Sequence, residues 1–127
     1  MLTIRKEQVQ ALSRVTIQEF EKDMLQHLMQ FFPDESAAMG DKALRAHIRH
    51  AIARAKEYGV TSERDLCKYL NLTMVYGRNF DTDRELEWMR DFLTDADVPD
   101  PSERMSRLYA EALYRLELGA EDSRSSG

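Results

Sequence analysis

At 127 residues, 43% hydrophobic and 32% charged, the chain has the apolar mass to bury roughly two thirds of the surface its unfolded form exposes, and it falls outside the disordered class. A net charge of −5 argues against general nucleic-acid binding, which needs a concentrated basic surface. The single cysteine, Cys67, excludes an intramolecular disulfide, and with no signal-like amino terminus and no apolar run of about 20 residues the expectation is a cytoplasmic protein without a membrane span.

The first helix is predicted from about Arg5 to Phe31, after Thr3 and before Pro33, whose ring disfavours helix in the residue preceding it. Val9, Leu12, Phe20, Met24, Leu28 and Phe31 share one face. Leu25, Met29 and Phe32 fall on the other, so residues 24–32 are apolar nearly all round. Either this half is clamped between two layers of core, or part of it is exposed for a partner.

Residues 33–39 read as a loop or a single helical turn, and Gly40 and Asp41 open the next helix, from about Lys42 to Tyr58. Its core stripe is Leu44, Ile48, Ala51, Ile52, Ala55 and Tyr58, with Gly59 as the stop. On the far side Lys42, Arg45, Arg49 and Lys56 lie within about 60° of one another with no acid inside the row. Such a row is ordinarily a solvated face; the sharper reading is a binding surface.

Ser62 to Tyr76 is the most apolar segment and the predicted centre of the fold. Ser62 with Asp65 fits a capping box, in which the hydroxyl takes a free amide hydrogen and the carboxylate reaches back, and Gly77 suits the left-handed stop. Leu66, Cys67, Tyr69, Leu70, Leu72, Met74 and Tyr76 cover well over half the circumference, leaving Lys68 and Asn71 as the polar strip.

After a polar turn holding Phe80, Thr82 and Glu85 form a second capping box, predicting a helix from Asp83 to about Thr94 with Leu86, Met89 and Leu93 inward and Trp88 and Phe92 beside them. From Asp81 to Glu103 there are nine acids and two bases, a net of −7, so the rest of the chain sums to +2. Charge is therefore segregated: basic in the middle, acidic after it. Residues 95–99 read as a linker. Asp100, Pro101 and Glu103 start a last helix that buries Met105, Leu108, Tyr109, Ala112, Leu113 and Leu116 and closes at Gly119. The expected fold is an all-α, single-domain bundle of about five helices over residues 1–119, with residues 120–127 a disordered tail.

Chemistry is sparse. His47 and His50 could share an ion, but no third ligand is suggested, and His27 reads as a core imidazole. The DTDRE segment at 81–85 has alternating carboxylates like a calcium loop but lacks its glycine and its distal glutamate, so helix capping explains it better. Cys67 has no evident base beside it and reads as buried and inert, and GxSxG, P-loop, GxGxxG and HExxH motifs are absent. The expectation is a protein that is no enzyme and uses no cofactor or metal.

Tyr58 to Asp83 (YGVTSERDLCKYLNLTMVYGRNFDTD), with FFP at 31–33 and ALRAHIRHAIARAKEYG at 43–59, resembles a family of small helical bacterial proteins of type VI secretion effector gene clusters, accessory partners of effector-loading adaptor chaperones. The similarity covers about Leu2 to Leu93. After Asp83 the family carries a small apolar residue and a proline, of which ELEWM keeps neither, only the tryptophan, so nothing is carried over at Trp88.

The resemblance implies a protein-binding accessory factor whose partner is an adaptor chaperone or a secreted effector. An apolar anchor in a charged surround is the anatomy such binding requires: Leu25, Met29 and Phe32 as anchor, and Lys42, Arg45 and Arg49 around it. Two alternatives stay open: an immunity protein that blocks a toxin with its acidic 81–103 segment, and a nucleic-acid-binding regulator using the basic row, the latter weak because no aromatic residue interleaves it. The residues also leave a homodimer open.

Overall fold

The computed structural model describes the backbone of residues 6–125 and the side chains of residues 18–119. Val9 and Leu12 therefore lie outside the described side chains. The fold is all-α: α1 (Lys6–Phe31), α2 (Pro33–Glu57), α3 (Glu63–Tyr76), a 3₁₀ turn (Arg84–Leu86), α4 (Glu87–Leu93) and α5 (Pro101–Ser125), with no strand among the described residues. These residues group into two compact units, the first ending at Arg49 and the second beginning at His50.

In the first unit one residue, Phe32, separates α1 from α2. Phe32 N donates to Leu28 O (2.7 Å) and the buried Ser36 hydroxyl donates to the same carbonyl (2.9 Å), which fixes the corner. Pro33 is a first-turn proline, where its missing N–H costs nothing, so the 33–39 stretch is helical and α2 breaks only at Gly40 (φ 80°, ψ 164°). That backbone conformation, closed to most side chains, is why the helix restarts at Asp41. Phe20, Leu25, Leu28, Leu44 and Ile48 are buried here, as is His47.

In the second unit the far end of α2 contributes Ala51, Ile52 and Ala55 to the buried set. Gly59 (φ 80°) ends α2, with its N–H on Lys56 O and Val60 N on Ala55 O. Ser62 caps α3 by accepting from Asp65 N (3.2 Å). The return half of that capping box is absent, because the Asp65 carboxylate instead accepts from Ser102 Oγ on α5 (2.6 Å). Tyr69, Leu70 and Leu72 fill the core beneath, with Tyr69 against Phe80 at 4.9 Å between ring centroids. Cys67, expected inside, is half-buried.

The next helix starts later than the sequence suggests. Asp83, not Thr82, is the cap, accepting from Glu85 N (3.0 Å), while Thr82 Oγ1 donates back to Asn79 O; the first turn is 3₁₀ and the α-helix begins at Glu87. Asp100 then accepts from Ser102 N (3.2 Å) to start α5, which packs Met105, Leu108 and Ala112 inward against α3 and α4. α5 does not stop at Gly119. It continues to Ser125, replacing most of the expected tail by helix. Gly119 is outside the positive-φ set; an interior glycine costs a helix about 1 kcal/mol relative to alanine, which weakens without breaking it.

Three contacts align α3 with α5. Lys68 Nζ donates to Ser106 Oγ (3.4 Å), Asn71 Nδ2 to Tyr109 Oη (3.2 Å), and Tyr76 Oη to Ala112 O (3.3 Å). Residue numbers rise together along both helices, so the two run parallel. The polar strip of α3, Lys68 and Asn71, is thus a seam against α5.

Candidate functional site

The six residues expected to form a partner surface all lie in the first unit and divide there. Met29 is 56% exposed, but Leu25 is only 8% exposed and belongs to the core, and Phe32 is half-buried at the helix corner. The phase of the helix explains the correction. Leu25 lies 60° from Leu28, closer than the assumed opposite face allows, and the aromatic that gives way is Phe31, 61% exposed with the His27 ring 4.8 Å from its own. Lys42, Arg45 and Arg49 are exposed as expected. The row is not free of acids in space: Arg45 pairs with Asp41 (2.9 Å) and Arg49 with Glu21 (3.3 Å). Exposed pairs of this kind are worth little individually and are screened by salt.

Beside Met29 opens a groove of about 230 Å³, lined by Pro33, Ser36, Ala37, Gly40, Asp41 and Leu44 as well. Its shape follows from the α1–α2 corner and the break at Gly40. Small side chains at Ala37 and Gly40 keep it open, Leu44 gives an apolar floor, and the Asp41–Arg45 pair stands at its edge. It can take an apolar side chain from outside; it carries no nucleophile with a base.

The second unit holds a polar cluster that periodicity does not reveal. Asp81, 1% exposed, accepts from Arg54 Nε (2.9 Å) and Nη2 (2.5 Å) and from Tyr58 Oη (2.9 Å), and Arg54 also pairs with Glu57 (2.7 Å). The hydrogen bond and charge of Asp81 hold the Arg54 guanidinium above its ordinary pKa. Burial first and Asp81 second push the Tyr58 and Tyr69 hydroxyls up as well. These groups are held in place, not poised to exchange protons at neutral pH. Burial also raises the Cys67 thiol, which leaves less thiolate for nucleophilic work.

No group of three or more His, Cys, Asp or Glu side chains that could hold a metal ion occurs among the described residues. Nor is any helix among them long and apolar enough to cross a membrane. No family model matches the chain, and no curated protein or solved structure matches it.

Proposed function

We propose that the chain is a non-enzymatic interaction protein, a co-chaperone-like accessory factor that binds an adaptor chaperone or a secreted effector of a type VI secretion system. The observation that carries the binding reading is the groove beside Met29: an exposed methionine at the mouth of an apolar recess with charged residues at its edge. Specific interfaces are built this way, with a desolvated anchor inside a polar rim. The secretion context rests on the resemblance of 58–83 and its flanking segments. Met29 replaces Leu25 as the anchor, and Lys42, Arg45 and Arg49 remain the charged surround.

The test is titration calorimetry of the full chain against the adaptor and the effector of its native secretion system. Met29→Asp should weaken binding about tenfold or more while the far-UV circular dichroism stays unchanged. Undiminished binding by a folded Met29→Asp variant would move the interface elsewhere. A second reading, toxin immunity, is favoured by the exposure of Asp83, Glu85, Glu87, Asp91, Asp97, Asp100 and Glu103 along the acidic segment. Co-expression separates the two: an immunity protein rescues cells from the toxin alone, whereas an accessory factor alters secretion without rescue.

A further inference from the structure

The α3–α5 seam continues past its polar rungs. Lys68 and Val75 are seven residues apart on α3, and Ser106 and Leu113 are seven apart on α5, so the parallel alignment, with Lys68 on Ser106 and Tyr76 Oη on Ala112 O, places Val75 within about one turn of the level of Leu113. Val75 (46%) and Leu113 (47%) are both exposed, and Leu116, next along the same face of α5, is 43% exposed. The other end of the seam is basic. Arg64 lies one turn before Lys68 on the same face, its side chain 74% exposed. Lys68 contacts only neutral groups, the Ser106 hydroxyl and the Tyr109 ring at 5.9 Å.

Of the nearby carboxylates, Asp65 is buried and held by Ser102, with Arg64 Nε at 3.8 Å from its other oxygen, and Glu103 pairs with Arg107 at 2.7 Å; the exposed Glu63 lies about 100° round α3 from Arg64, and the exposed Glu117 stands one turn past Leu113, beyond the cationic end. The face is therefore bipartite, cationic at one end and aliphatic at the other, although the segment around it is strongly acidic.

We infer that this face docks an amphipathic helical segment of a partner protein, one that carries carboxylates about 10 Å, two helical turns, from a pair of aliphatic side chains. The aliphatic pair meets Val75, Leu113 and Leu116; the carboxylates meet Lys68 and Arg64. Charge complementarity selects this occupant over a basic helix, which would place cation against cation at the Lys68 end. The surface belongs to the second unit, whereas the Met29 groove belongs to the first, and it does not depend on the secretion reading.

Three helix-favouring peptides of about fifteen residues test it by fluorescence anisotropy with the full chain. All carry the same leucine pair at one end, and two turns away two Glu, two Gln or two Lys. The Glu peptide should bind about tenfold more tightly than the Lys peptide at low salt, with Gln between, and the gap should narrow as salt is added. Lys68→Glu should reverse the order. Leu113→Asp, a change at an exposed position, should weaken the Glu peptide at least about fivefold with helical content intact.

Equal affinities across the three, no binding by any of them, or indifference to Leu113→Asp overturns the inference. So does sedimentation showing a dimer that Leu113→Asp dissociates, because the occupant would then be a second copy of this chain.

Discussion

Replacing Arg54 with methionine should destabilise the second unit by about 3 to 4 kcal/mol, and replacing Asp81 with asparagine by about half as much. Both changes break the same ion pair. What differs is the group left behind. Without Arg54, a carboxylate that is 1% exposed keeps only the Tyr58 hydroxyl as donor, which is the uncompensated buried charge that costs 3 to 5 kcal/mol in other proteins. With Asp81 converted to asparagine, the Arg54 side chain remains 27% exposed and retains Glu57. Water and Glu57 then share its solvation, and the loss falls to two guanidinium–carboxylate hydrogen bonds weakened to guanidinium–amide ones, about 1.5 to 2 kcal/mol.

Urea unfolding measures the difference directly, because Trp88 is the only tryptophan and sits in the same unit. The double variant Arg54→Met with Asp81→Leu, which removes both charges, should be about 2 kcal/mol more stable than Arg54→Met alone. Asp81→Asn costing as much as Arg54→Met, or both costing under about 0.5 kcal/mol, would refute the assignment of Asp81 as the buried partner.

The corrected phase of α1 makes Leu25→Asp a core lesion, losing about 3 kcal/mol or more in chemical denaturation, whereas Met29→Asp should stay within about 0.5 kcal/mol of the parent. Gly59→Ala should cost more than Gly77→Ala, since both have positive φ but only at Gly59 would the new Cβ lie 2.9 Å from Pro101 Cγ; thermal melts should separate them by about 1 kcal/mol or more. Tyr58, Tyr69 and Tyr76 all have pKa values raised by burial. The unfolded chain therefore loses these protons first, so stability is full below about pH 10 and falls as pH rises beyond it. Melting temperature measured between neutral and alkaline pH should show that fall, and Tyr69→Phe should flatten it.

Where a helix begins and which chemistry starts it were largely readable, because caps act within one turn: Ser62, Asp100 and the break at Gly40 each do locally what their side chains or backbone allow. Long apolar stripes were readable for the same reason, and Met105, Leu108 and Ala112 of α5 are buried as their spacing predicts, while Tyr109 is half-buried with its hydroxyl in the α3 seam. Reading failed where the answer depends on a second element. Thr82 reads as the cap, but its hydroxyl is drawn to the Asn79 carbonyl and Asp83 takes the amide of Glu85. Leu113 and Leu116 continue the inward stripe of α5 yet remain exposed, since periodicity states which face a residue shares and not how far the neighbouring helix extends.

The same limit bears on function, and it falls hardest on polar residues. In sequence Asp65 reads as a capping acid, Asp81 as part of a polar turn, and Lys68 and Asn71 as the polar strip of an apolar helix. In the fold, Asp65 and Asp81 are buried acceptors for Ser102, Arg54 and Tyr58, while Lys68 and Asn71 register α3 on α5. Their cost of burial is offset only when the matching donor or acceptor arrives from tens of residues away. These polar contacts therefore select one alignment of the helices among those that hydrophobic packing alone would tolerate. That alignment places the exposed Val75 within about a turn of the level of the exposed Leu113, so the face inferred to dock a partner has no signature in either helix alone and follows from the pairing.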